Sequence, residues 1–261
     1  MNTEPTVIDA HKSHVNDVLF TSDSQYLLSA GMDNIVQIWS VPDWEKVKTI
    51  KGHSKSVNSL SLTDDDTILA TGSTDKTLKL WSFPEGAEIK SIDKAAESAI
   101  ITPDGKYVAT TYNNRIQMRS VDRGEIFFTV EEHKRKAHTF DFSPDGELIA
   151  TGGLDENILI WEVPSKREKG TIEAHSKGVM ALKFSPDGRY LASTGYEGTL
   201  KIWSTQQWGR IQTIELEGSG MFALAVSPDG STLAVTVTYT VYLIDAASGH
   251  LKKSLKVNPK G

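Results

Sequence analysis

HSKGVMALKFSPDGRYLASTGYEGTLKIW, residues 175–203, contains three short runs with strand character separated by two turns. The first run carries Val179, Ala181, Leu182 and Phe184. Ser185-Pro186-Asp187-Gly188 follows, where proline presets φ, aspartate bonds its own backbone and glycine accepts positive φ. A second run holds Tyr190 and Leu191 and ends at a turn with Gly195 and Gly198. Thr199-Leu200-Lys201-Ile202-Trp203 then alternates in polarity with period two, the pattern of a half-buried strand. The stretch is a β-meander.

Weaker copies of it run along the chain. The histidines that open the copies are His11, His53, His133 and His175, at steps of 42, 80 and 42 residues. The double step hides one copy, in which Ile92 takes the histidine's place, and one further step reaches Glu217. The turn repeats independently, from Thr21-Ser22-Asp23-Ser24 and Thr63-Asp64-Asp65-Asp66 to the Pro-Asp-Gly turns at 103–105, 144–146, 186–188 and 228–230. One more extended stretch lies between copies, as in Lys46 to Ile50 and Arg210 to Ile214. Four strands in about 42 residues is the period of a propeller blade. The expected fold is an all-β propeller in one domain over residues 1–261. Six four-stranded antiparallel blades fall near 8–49, 50–88, 89–129, 130–171, 172–213 and 214–257, with 5–8 as a candidate ring-closing outer strand. The alternative is a seven-bladed ring with one blade truncated or missing.

Composition narrows the function. Of 261 residues, 38% are hydrophobic and 24% charged, and the net charge is -6. Acids and bases are interleaved, so no footprint for nucleic acid is expected. The absence of cysteine removes disulfides, thiol catalysis and thiolate metal sites. The N-terminus has neither the basic nor the apolar region of a secretory signal. No run approaches the ~18 apolar residues of a membrane helix. These features point to a cytoplasmic protein that does not enter membranes.

The repeats resemble the WD40 family over nearly the whole chain. Gly52-His53 matches its Gly-His pair. The closing Trp-Asp appears here as Trp-Ser at 39–40, 81–82 and 203–204 and as Trp-Glu at 161–162. In four copies a hydroxyl, a histidine, a carboxylate and a tryptophan recur at fixed offsets. They are Ser29/His11/Asp33/Trp39, Thr71/His53/Asp75/Trp81, Thr151/His133/Asp155/Trp161 and Ser193/His175/Glu197/Trp203. A Ser-His-Asp set suggests a hydrolase, but a catalytic triad occurs once and this set occurs four times. The resemblance implies a buried hydrogen-bond network within each blade instead, running from Trp N–H to hydroxyl, hydroxyl to His and His to carboxylate. Glu197, one methylene longer, puts the fifth network in question. Arg119 and Ile244 replace the tryptophan in the third and sixth copies.

The remaining histidines, His14, His138 and His250, lack ligand spacing, and no phosphate-binding glycine loop is present, so no metal or cofactor is expected. The resemblance places partner binding on the upper face, at loops preceding the first and third strands. Mapped onto those loops, Leu154, Met180, Tyr196, Met221, Phe222 and Tyr239 form an apolar cluster, flanked by His138, His14, Asn16 and Asn58. The expected function is a non-catalytic scaffold for a protein or peptide partner. The alternatives are a channel that binds a small ligand or acts as an enzyme, and a propeller cut from a larger protein.

Overall fold

The computed structural model describes residues 8–93, 98–112, 115–130, 133–217, 221–238 and 240–256. These form six separate four-stranded antiparallel sheets, each a meander in chain order. The protein is therefore all-β, with six blades of the β-propeller class. The first blade is β1 (Val15–Phe20), β2 (Tyr26–Gly31), β3 (Ile35–Ser40) and β4 (Lys46–Lys51). The second is β5 (Val57–Leu62), β6 (Ile68–Ser73), β7 (Thr77–Ser82) and β8 (Glu88–Asp93). The third is β9 (Ala99–Ile101), β10 (Tyr107–Tyr112), β11 (Arg115–Ser120) and β12 (Ile126–Val130). The fourth is β13 (Ala137–Phe142), β14 (Leu148–Gly153), β15 (Asn157–Glu162) and β16 (Arg167–Glu173). The fifth is β17 (Val179–Phe184), β18 (Tyr190–Gly195), β19 (Thr199–Ser204) and β20 (Arg210–Glu215). The sixth is β21 (Met221–Val226), β22 (Thr232–Val237), β23 (Thr240–Asp245) and β24 (Leu251–Lys256). The candidate outer strand at 5–8 falls, apart from Ile8, outside the described residues.

Two compact units divide the chain: Met1–Asn113 with Gln117–Thr129, which holds the first two blades and most of the third, and Asn114–Ile116 with Val130–Gly261, which holds the last three and the remaining third-blade residues. The core of each lies between blades. In the first unit Leu28, Ile38 and Ile50 pack against Leu60, Leu69 and Trp81 of the next blade. Leu78, Leu80 and Ile92 pack against Ala99, Ile101 and Val108 in turn. In the second, Ile158, Ile160 and Ile172 meet Leu182, Leu191 and Trp203, and Leu200 and Ile202 meet Leu233, Val235 and Ile244. Each such side chain, fully buried, contributes roughly 1.5–3 kcal/mol. First strands are also stitched to one another by polar side chains. Asp17 accepts the Leu60 N–H at 2.8 Å, Ser59 that of Ala99 at 2.8 Å, and Asp141 that of Phe184 at 2.8 Å.

Two expectations change in this packing. Third strands are not all half-buried: β19 keeps the alternation expected of Thr199 to Trp203, whereas four consecutive residues are buried in β3, β7 and β15. The polar member is enclosed in β7, where Lys79, 9% exposed, pairs with Glu88 at 2.8 Å, while the half-buried Lys201 of β19 donates to the Ala174 carbonyl at 2.6 Å. Ile92 is also misplaced by counting. It pairs with Leu78 in β8 just as Ile50 pairs with Val36 in β4, so it is an outer-strand core residue. Three residues further on, where blade register puts the histidine, Ala95 lies outside the described residues. The exposed outer strands resist edge pairing through bulges and charge. Each described third-to-fourth-strand ladder shifts register at the closing Trp or Ile, and lysines such as Lys46, Lys48 and Lys51 line the edge.

All six first turns share one geometry. In the fifth blade the Ser185 hydroxyl bonds Asp187 at 2.7 Å and accepts the Tyr190 N–H at 3.0 Å, while Asp187 accepts the Arg189 N–H at 3.0 Å. The fourth turn residue is left-handed: Gly105, Gly146, Gly188 and Gly230 have φ of 69–71°, but Ser24 and Asp66 occupy it at 58° and 53°. A side chain there costs roughly 1–2 kcal/mol, partly offset by glycine's greater unfolded-state entropy. Asp66 compensates by accepting two bonds from Ser22. Ser24→Gly is therefore expected to stabilise the protein by about 0.5 kcal/mol, and Gly188→Ala to destabilise it by about 1 kcal/mol, as read by denaturant midpoints at unchanged slope.

Candidate functional site

The four repeated sets converge within their blades, three of them completely. In the second blade Asp75 bonds His53 Nδ1 at 3.0 Å, so that nitrogen carries the proton and Nε2 is the acceptor. The Thr71 hydroxyl lies 2.7 Å from Nε2 and accepts the Trp81 indole N–H at 2.9 Å. Donors and acceptors thus run one way, from indole to hydroxyl to imidazole to carboxylate. The first blade repeats this with His11–Asp33 at 2.8 Å, His11–Ser29 at 2.8 Å and Trp39–Ser29 at 3.1 Å. The fifth is also assembled, with His175–Ser193 at 2.7 Å, Trp203–Ser193 at 2.8 Å and a short His175–Glu197 bond.

The fourth blade corrects the expectation for Trp161. His133 bonds Asp155 at 2.9 Å and Thr151 at 2.8 Å, as the pattern requires. Trp161 holds the closing position, 8% exposed and opposite Ile149 in the ladder. Its buried indole nitrogen, however, does not donate to Thr151, so Trp161 is a packing residue of this blade and not a member of its hydrogen-bond network. The physical reason is the unequal tolerance of the two interactions. A hydrogen bond weakens steeply with distance and angle, whereas burial of a large ring survives a small displacement.

The electrostatics keep His53 and His175 neutral. Burial lowers the pKa of both below the ordinary 6.5, outweighing the neighbouring carboxylates that pull it up. For Asp75 burial acts to raise the pKa, but the Thr77 hydroxyl, the Ser54 and Thr77 N–H groups and His53 overcome it and hold the carboxyl at about 2. Both shifts are downward, so the stability they carry is fully present above the unfolded-state values. It is lost first as pH falls below 6.5, when His53 and His175 would have to charge, and further as Asp75 protonates toward pH 2.

This geometry resembles a hydrolase triad but cannot act as one. The Thr71 oxygen already accepts the indole proton, and Thr71, Thr151 and Ser193 are completely buried, so no substrate reaches the hydroxyl. Each set instead ties the loop before the first strand to the loop before the third. Asp33, Asp75 and Asp155 reinforce that tie by accepting the N–H of the residue after the histidine, at 3.0, 2.9 and 2.8 Å. Glu197 departs here. Its Oε1 takes His175 and the Thr199 hydroxyl, leaving Oε2 buried without a hydrogen-bond partner. The third and sixth blades fill the same space differently. Arg119 replaces the indole and donates to Gly124 O and Gln117 Oε1. In the sixth, Val235 and Ile244 replace hydroxyl and indole together, and exchanging both partners for apolar groups is nearly neutral. Val235 went unnoticed in the sequence because an apolar residue at a strand centre carries no polar signal.

The proposed binding residues separate into two groups. Asn16 is engaged internally: its amide donates to Ser56 Oγ, Val57 O and Asn58 Oδ1 at 2.7, 2.8 and 3.2 Å. Asn16 and Asn58 therefore join the first two blades. His14 is exposed, and its carbonyl accepts the Met32 N–H at 2.9 Å. In the second unit Leu154 and Tyr196 both adjoin Gly178, two residues before Met180. A Cβ added to Gly178 would lie 3.1 Å from Leu154 Cα, and the Gly178 carbonyl accepts the Tyr196 N–H at 3.3 Å. Tyr196 is 49% exposed. Met221 and Phe222 begin β21 as Val179 and Met180 begin β17. Tyr239 and the side chains of His138, Met221 and Phe222 lie outside the described residues. Among the described residues no group of three His, Asp or Glu could hold a metal ion, and no helix is long and apolar enough to cross a membrane.

A family model described as "WD domain, G-beta repeat" matches residues 2–40, 44–82, 124–162 and 166–204. The chain belongs to the WD40 family. The four matches end on the closing Trp-Ser and Trp-Glu pairs, and so coincide with the blades that carry the histidine network. The matches at 44–82, 124–162 and 166–204 begin just before an outer strand: the match at 44–82 contains β4 of the first blade and β5, β6 and β7 of the second, so one repeat staples two blades. The chain is 32% identical over 167 residues to p21-activated protein kinase-interacting protein 1-like of Danio rerio, covering 63% of the chain and 45% of that protein. It is 30% identical over 160 residues to serine-threonine kinase receptor-associated protein of Gallus gallus, covering 61% of the chain and 45% of that protein. The matched region thus spans just under half the length of these relatives.

Two variants test the network. Thr71→Val strips His53 Nε2 and the Trp81 indole of their shared partner and is expected to cost about 2–4 kcal/mol. Glu197→Asp should let the shorter carboxylate take the amide of Ser176 and raise stability by about 1 kcal/mol. Urea denaturation reads both.

Proposed function

We propose that this WD40 chain is a non-catalytic scaffold that holds a protein or peptide partner on its upper-face loops, with Leu154, Met180 and Tyr196 at the centre of contact. The observation that carries the reading is the half-exposed Tyr196, set beside Leu154 on loops anchored from below by the His133 and His175 networks. An exposed aromatic on a fixed backbone supplies contact area at little ordering cost. Met221, Phe222, Tyr239 and His138 extend the same proposed surface by register. Burial of the network hydroxyls argues against hydrolysis by these sets, and the relatives are named as interacting or receptor-associated proteins. The absence of cysteine fits a reducing, cytoplasmic setting.

The test combines affinity purification from the native host with two variants. Tyr196→Ala and Phe222→Asp are expected to reduce recovery of the partner at least about tenfold, while stability stays within about 0.5 kcal/mol for the exposed Tyr196→Ala. Full recovery with both variants would rule out this surface.

A further inference from the structure

We propose that the partner segment bound at these loops is an acidic peptide carrying an apolar side chain. This rests on the upper-face reading above and specifies its chemistry. Three consecutive exposed cations, Lys134, Arg135 and Lys136, form the loop that follows His133, and Lys177 occupies the corresponding loop after His175. Among the described residues none of the four side chains has an ion-pair partner. Two carboxylates of these loops are directed inward: Asp155 bonds His133 and the Lys134 N–H, and Glu197 bonds His175. Glu156 is exposed on the loop that carries Leu154, but the network takes up the other two carboxylates, and against that one exposed acid the four cations leave the surface of these loops net positive.

The basic loop is physically joined to the apolar contact. The Lys136 carbonyl accepts the Leu154 N–H at 2.9 Å, Leu154 rests against Gly178, and Gly178 accepts the Tyr196 N–H. Cations and aromatic therefore lie on one continuous piece of the second unit. Apolar side chains of the partner would anchor on Leu154 and Tyr196, and its carboxylates would supply orientation and selectivity through Lys134, Arg135 and Lys136. The rest of the chain decides between anions. At a net charge of -6 the molecule repels an extended polyphosphate, whereas a short acidic segment meets only the local positive field.

The experiment selects ligands for the full chain from a random ten-residue peptide library. A mixed-sequence single-stranded RNA of similar length is titrated in parallel. Bound peptides are expected to be enriched in Asp and Glu together with Leu, Phe or Trp. Their affinity should fall about tenfold or more on raising salt and on reversing charge in the Lys134→Glu, Arg135→Glu, Lys136→Glu triple variant. Tyr196→Ala should also weaken them. Binding that depends on Tyr196 but is indifferent to charge reversal, or enrichment of neutral or basic peptides, overturns the acidic inference and leaves the upper-face reading standing. Binding indifferent to both changes overturns both. RNA bound more tightly than the selected peptides overturns the choice of a peptide. Lys134→Gln with Arg135→Gln, which removes charge without adding any, should lie between wild type and the triple variant, and separates lost attraction from disturbed loop structure.

Discussion

A buried histidine with a hydrogen bond on each ring nitrogen is the constraint that fixes the strands and loops of four of the six blades. Imidazole in a sheet interior is tolerable only if both nitrogens are satisfied and the ring stays neutral. In the second blade the carboxylate before the third strand fixes the tautomer, the second-strand hydroxyl meets the other nitrogen, and the third-strand indole completes the hydroxyl. One ring thus fixes the relative position of three strands and two loops. A one-residue slip in any of them would leave several buried polar atoms unpaired, so register is enforced chemically as well as by side-chain alternation.

The blades that depart from the full set show what the network adds. The sixth fills the space with Val235 and Ile244, and the third with an arginine that bonds backbone and glutamine. Both retain four strands, so the meander does not require the network. The fourth keeps histidine, hydroxyl and carboxylate in place although Trp161 does not donate to Thr151. The indole link is therefore separable from the rest. What the histidine and carboxylate supply is a rigid tie between the loop before the first strand and the loop before the third. The tied loops of the fourth and fifth blades carry Leu154 and Tyr196, each of which adjoins Gly178.

Much of this was legible in the sequence because it repeats. The 42-residue step, the Ser/Thr-x-Asp turn and the four-residue sets at constant offsets each state the same register independently. What stayed hidden depends on neighbours and on exact placement that a single strand does not reveal. Thr199 to Trp203 reads as half-buried and β19 keeps that alternation, but the same alternation in Thr77 to Trp81 contains no record of a second sheet, and Lys79 is buried against Glu88. Ile92 reads as a histidine position because the intervening copy lacks the histidine that sets the count. Trp161 stands at the same offset as its three counterparts, and an offset specifies a ladder position but not the angle of an indole N–H. Asn16 and Asn58 read as polar surface, since a side chain that stitches two blades is indistinguishable in sequence from one facing solvent. The extra methylene of Glu197 is visible in the sequence, but only geometry shows that the set still assembles and that the cost lies in one unpartnered oxygen.

The most direct test of the network's structural role is nitrogen-15 NMR of the imidazoles across a pH titration. His53 and His175 are expected to be neutral Nδ1–H tautomers at pH 7, slow in proton exchange, and to protonate only below the ordinary 6.5. An Nε2–H tautomer, or free titration of either ring at 6.5, would contradict that role.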